Sequence, residues 1–144
     1  MIGVDSNILV YAHRSDSPFH DVASRCVRSL AESPAGWMIP WPCLHEFLGI
    51  VTHARIYNPP STVAQACAQV EAWLSSPSLS LLGETADHWL RLRRLLTKGR
   101  VVGPRVHDAR IAAICIEQGV RELWSADRDF SRFPTLSTRN PLLD

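Results

Sequence analysis

A chain of 144 residues, 46% apolar and 20% charged, is long enough to bury the core of one compact domain and leaves little room for a second, so residues 1–144 are expected to form one unit. A formal net charge of +1 argues against capture of nucleic acid by a uniformly basic surface, and the composition argues against disorder. The four cysteines, Cys26, Cys43, Cys67 and Cys115, contain no Cys-x-x-Cys pair, which argues against zinc or redox chemistry and predicts reduced, buried thiols.

The apolar run Met1 to Val4 predicts a short buried strand, after which DSN turns the chain into a helix with Ser6 or Asn7 as its cap. This opening is too short and polar to span a membrane and lacks the basic start of a signal peptide, so no membrane contact is expected and the cytoplasm is the default compartment. Val22, Cys26, Val27 and Leu30 recur at spacings of three and four, predicting an amphipathic helix from about Phe19 to Glu32 that SPAG ends. Trp37 to Ile39 is a second strand, terminated by Pro40 and Pro42. Leu44, Phe47, Leu48 and Val51 predict a helix from Cys43 to about Ala54, with Glu46 in its early turns. YNPPST is a turn and cap before a helix from about Val63 to Leu74. A third strand at Leu79 to Leu82 precedes a helix from about Thr85 to Leu96, and KGRVVGPR reads as a surface loop. Helical spacing returns from Val106 to Gln118, with Gly119 as C-cap. A fourth strand is predicted at Glu122 to Ser125 and a weaker fifth near Thr135 to Ser137, before a polar tail ending in Asp144.

Short apolar strands alternating with helices define an α/β fold: a mostly parallel sheet of about four or five strands flanked by helices. Right-handed crossovers bring strand ends to one edge, so residues tens of positions apart can meet there. Four acids stand at such places: Asp5, Glu46, Asp108 and Asp127. Gathered carboxylates repel one another unless positive charge intervenes, and an all-oxygen ligand set suits magnesium, with manganese as a substitute. The common chemistry of such sites is metal-dependent hydrolysis of phosphodiesters. Each acid also has a plainer reading: Asp5 as a cap, Glu46 as a solvated helix residue, Asp108 as a cap or a partner of Arg105 or Arg110, and Asp127 and Asp129 as turn residues. His45 and His107 flank two of the acids and read as helix-surface residues. Lys98, Arg100, Arg105, Arg110 and Arg128 form a candidate basic rim for phosphates, in which Arg110 either contacts substrate or holds Asp108. Among the five tryptophans Trp41 is best placed to stack on a base, the others reading as core or interface.

The ordered landmarks IGVDSNILVYA, PCLHEFLGIV, VHDARIAAI and LWSADRDFSRF resemble those of PIN-domain ribonucleases, in particular the VapC toxins of bacterial toxin-antitoxin pairs, and they span nearly the whole chain. The resemblance implies metal ligands at Asp5, Glu46, Asp108 and Asp127, with Asp129 as an alternate or supporting acid. Ser6 and Asn7 match the small polar residues that orient the first ligand or start the first helix. It further implies a magnesium-dependent endoribonuclease leaving a 5′-phosphate and a 3′-hydroxyl, a homodimer, and a cognate VapB-like antitoxin that blocks the pocket and makes the only contact with operator DNA. Two alternatives stand beside it: a nonenzymatic RNA-binding regulator on a PIN-like fold, and a DNA nuclease. A nucleotide-binding α/β protein is disfavoured, since no glycine-rich phosphate loop is present.

Overall fold

The computed structural model describes residues 1–143; Asp144, the end of the expected polar tail, lies outside the described residues. Five strands, β1 (Ile2–Val4), β2 (Trp37–Pro40), β3 (Leu79–Leu82), β4 (Glu122–Trp124) and β5 (Thr138–Arg139), form one sheet in the order β3-β2-β1-β4-β5. Every pairing is parallel, as the alternation of strands and helices requires. β1 is central, aligning Ile2 with Trp37 on one side and with Glu122 on the other. It has no room to spare. A Cβ on Gly3 would stand 3.3 Å from Leu123, Met38 and Val120 side chains at once.

Six helices connect the strands: α1 (Ser6–His13), α2 (His20–Glu32), α3 (Trp41–Val51), α4 (Val63–Leu74), α5 (His88–Gly99) and α6 (Val106–Glu117). Right-handed crossovers carry α1 to α4 over one face of the sheet and α5 and α6 over the other. On α2 Val27 and Leu30 are buried as predicted, whereas Ala23 takes the core position expected of Val22, and Val22 and Cys26 are half-buried. α6 buries residues on nearly every side, Ala109 and Ile111 to Cys115, because it is covered by α5 and by the sheet. Its end is set by Gly119 at φ +71°, where Val120 N–H donates to the Cys115 carbonyl at 2.9 Å.

Several boundaries differ from expectation for local reasons. Asp5, rather than Ser6 or Asn7, caps α1: its backbone is extended and its carboxylate accepts from Ser6 N–H at 2.8 Å. α3 starts at Trp41 because proline in a first turn forfeits only an N–H that has no helical partner, so Pro42 opens the helix and Pro40 still pairs with Leu82 as the end of β2. α5 starts at His88, since Thr85 is held instead by Glu117, which accepts from its N–H at 3.1 Å and its hydroxyl at 2.6 Å. β5 begins at Thr138, after a turn in which Leu136 N–H donates to Phe133 and both side chains are buried. Of the cysteines, Cys43 and Cys115 are buried, but Cys67 is exposed because α4 turns Ala66 and Trp73 inward. All four are free thiols. Among the described residues no helix is long and apolar enough to cross a membrane.

Candidate metal centre

The sheet order reverses at β1, whose neighbours β2 and β4 are reached by crossovers running in opposite directions. Beyond the carboxyl ends of strands at such a point the connections diverge and leave a crevice. Asp5 follows β1 directly, and Ser125 and Asp127 follow β4. α6 runs back from the same edge, with Asp108 in its first turn. Glu46 comes from the second turn of α3, the helix that leaves β2.

The side chains meet in two linked groups. Carboxylate oxygens of Asp108, Asp127 and Asp129 all lie within 4.8 Å of one another, a set that can hold a cation. Asp129 is brought there by the 3-10 turn Arg128–Arg132, whose first N–H groups are capped by Asp127, which accepts from Asp129 N–H at 2.8 Å. Asp5 and Glu46 form the second group, joined by the Ser6 hydroxyl, which donates to Glu46 Oε1 and lies 3.5 Å from Asp5 Oδ1. The two groups feel one another. Burial first, then the charges of Asp127, Asp5, Asp129 and Glu46, push the Asp108 carboxyl up to about 6.

Asp5 is buried, and its carboxylate is surrounded by donors. Oδ1 accepts from Ser6 N–H and from the Cys43 thiol at 3.4 Å, while Oδ2 accepts from the Ser125 hydroxyl at 2.7 Å and from Asn7 Nδ2 at 3.3 Å. Burial raises its proton affinity, and the bonds from Ser125, Ser6 and Cys43 oppose that rise. Ser125 is a hub whose hydroxyl spends its proton on Asp5 and accepts from Asp127 N–H at 2.9 Å. Asn7 ties the same strand ends together, its Oδ1 accepting from Ala126 N–H at 3.1 Å. Ser125 and Cys43 were not singled out in the sequence as partners of Asp5, although a small polar residue between a strand and an acid, as in LWSAD, is the signal that marks the first.

Glu46, Asp108 and Asp129 open into a cleft of about 590 Å³ whose rim carries Arg100, Arg105 and Arg132. Arg132 is a rim residue that the sequence reading missed, placed there by the 3-10 turn. Arg110 is engaged elsewhere: its Nε donates to Glu84 at 2.5 Å, so the expected hold on Asp108 is not made. The helix periodicity explains this, for two positions along α6 is about 200° around its axis. Arg128 is exposed and does not line the cleft, and Lys98 lines a neighbouring groove. His107 stands on the cleft wall, while exposed His45 lies beside Trp41 with ring centres 5.8 Å apart. Trp41 is 41% exposed and so presents a free face; Trp37, Trp73 and Trp124 are buried, whereas Trp89, 64% exposed, is not a core residue.

The comparisons with known proteins follow the same lines. The chain matches the PIN domain over residues 2–136. It is 34% identical over 142 residues to ribonuclease VapC43 of Mycobacterium tuberculosis, covering 99% of this chain and 96% of that one. The chain belongs to the PIN-domain family, among the VapC ribonucleases. Ribonuclease VapC48 of the same organism is 31% identical to this PIN-domain chain over 137 residues, covering 95% of one and 94% of the other. Solved VapC structures share the fold. VapC20 of M. tuberculosis, described as a sarcin-ricin loop cleaving toxin, superposes with a TM-score of 0.68 at 20% identity, over 91% of this chain and 93% of that. VapBC2 from Rickettsia felis, bound to a DNA fragment from their promoter, gives 0.70 at 23% identity, over 97% and 98%.

Proposed function

We propose that this PIN-domain protein is a magnesium-dependent endoribonuclease toxin, with manganese as a working substitute, that holds its ion on Asp108, Asp127 and Asp129 with Asp5 and Glu46 completing the charge. The observation that carries the proposal is the convergence of three carboxylates within 4.8 Å at the sheet's reversal point. An all-oxygen donor set fits a hard divalent cation, and the raised proton affinity of Asp108, caused first by burial and then by the neighbouring acids, is the kind of cost that a bound cation would offset. A bound ion supplies acidity to a water and offsets charge on phosphate oxygens.

The chain's own residues do the rest. Ser6, Asn7 and Ser125 aim Asp5, and Ser6 couples it to Glu46. Arg100, Arg105 and Arg132 offer cations to the phosphates flanking the acidic centre. No histidine is needed as a base in this arrangement. RNA is favoured over DNA as substrate because the relatives above 30% identity carry the name ribonuclease along almost their full length. Solved VapBC assemblies of the same fold support a cognate VapB-like antitoxin as partner, and the family resemblance implies a homodimeric toxin whose DNA contact is made only through that antitoxin. The place of action is then the cytoplasm, where the RNA is.

Incubating purified protein with RNA and magnesium should release fragments with 5′-phosphate and 3′-hydroxyl ends, and EDTA should abolish release. RNA that is bound but never cut with either metal, or cutting that survives EDTA, would overturn the reading. Removing the hub hydroxyl in Ser125→Ala should weaken manganese binding by about 10–100-fold in isothermal titration, the range for residues that orient metal ligands. An unchanged affinity would show that Ser125 only shapes the turn.

A further inference from the structure

From residue 88 to residue 107 the chain carries Arg91, Arg93, Arg94, Lys98, Arg100 and Arg105 and not one aspartate or glutamate. In a protein whose charges sum to only +1, this is a segregated positive stripe along α5 and the loop after it. Among the described residues none of these six side chains is in an ion pair. Structure has therefore not consumed their charge.

Between α5 and the segment after the 3-10 turn runs a groove of about 410 Å³. Arg91, Arg94 and Lys98 line one side of it, at spacings of three and four that place them on one helix face. Arg132 lines the other, and Leu95 and Pro134 contribute apolar surface. Arg132 also lines the acidic cleft, so groove and cleft adjoin at that side chain.

We propose that this groove is a track for the sugar-phosphate backbone of single-stranded RNA, leading the strand to or from the acidic centre, with Arg132 contacting it at the junction. The proposal rests on the nuclease reading and extends it to the substrate outside the cut. A centre built from carboxylates repels a polyanion, so the affinity that holds RNA there has to come from cations set beyond the acids. Unpaired arginines and a lysine along one helix face supply it, and apolar surface between them suits the faces of sugars and unstacked bases. A single strand can bend from the groove into the cleft across Arg132. An acidic protein segment would satisfy the charge as well, but it would gain nothing from a groove that adjoins the cleft at Arg132.

Arg94 and Lys98 are both exposed, so Arg94→Ala/Lys98→Ala removes charge without opening the core, and an unchanged melting temperature checks this. Binding of a short fluorescein-labelled single-stranded RNA is followed by anisotropy over a series of KCl concentrations, in the Asp108→Asn background with magnesium present. The double variant should bind about 10-fold more weakly at low salt, with the slope of log Kd against log salt reduced by about 1.4, roughly 0.7 for each lost phosphate contact. Equal affinity and an equal slope overturn the track. So does RNA binding that is untouched while a polyglutamate peptide loses its hold on the variant, which would assign the groove to an acidic protein. Because the readout is binding, failure of the nuclease reading shows separately, as missing metal-dependent cleavage by the unmodified chain.

Discussion

Asp108→Asn should lower magnesium-dependent RNA cleavage by at least about 100-fold, the upper range seen for residues that merely support a metal ligand, and at the same time make the metal-free protein more stable. The stability effect follows from proton linkage. Burial and four neighbouring acids push the Asp108 carboxyl from 3.8 up to about 6. Between those values the folded chain keeps a proton that the unfolded chain has lost, so metal-free stability falls as pH rises from about 4 to about 6 and stays low above. Asparagine cannot ionise. The variant should therefore melt a few degrees above its parent at pH 7 in EDTA, and the gap should close as pH is lowered toward 4. Magnesium should reverse the order, since a ligand that binds only the folded parent stabilises it in proportion to the logarithm of its concentration. Differential scanning calorimetry at two pH values, with and without magnesium, reads all of these. A variant less stable than its parent in EDTA at pH 7 would mean that Asp108 is architectural.

Asp5 does not share this expectation, although it is also an acid of the centre. Its carboxylate accepts from Ser6 N–H, the Cys43 thiol, the Ser125 hydroxyl and Asn7. An amide at that position would set its own NH2 against a donor, so relief of repulsion is offset by a lost acceptor in a buried place. Stability thus separates the two acids where activity does not.

Phe47→Ala should have the largest effect on folding. Phe47 is wholly buried on α3, with ring centres 5.4 Å from His13 of α1 and 4.9 Å from Trp73 of α4, so one side chain joins three helices. Truncating a buried phenylalanine costs about 3–5 kcal/mol, a large part of the roughly 5–15 kcal/mol that holds a domain together. The midpoint of urea denaturation should drop accordingly. Val102→Ala, at a loop residue 75% exposed, should stay within about 0.5 kcal/mol. Since Phe47 adjoins Glu46, its loss should also loosen metal affinity; a variant with full stability would show that the cavity had collapsed around a smaller residue.

What was legible in the sequence was what local chemistry controls. The period of apolar residues placed α4 and β3 to the residue, and strands alternating with helices required a parallel sheet with its strand ends on one edge. Asp5, Asp108 and Asp127 stood out because each follows a strand or opens a helix, and the ordered landmarks identified the family. Helix starts were less legible, because a cap is chosen by the fold: Asp5 displaced Ser6 and Asn7 as the cap of α1, and Glu117 drew Thr85 out of α5.

Tertiary structure alone decided the partners of side chains. It gave Arg110 to Glu84 instead of Asp108, made Ser125 the hub of the hydrogen bonds to Asp5, drew Asp129 into the cluster and set Arg132 between cleft and groove. The physical reason is one of range. Hydrophobic periodicity is written into neighbouring residues, whereas a hydrogen bond or ion pair depends on ångström-scale distances between segments that only the assembled sheet brings together.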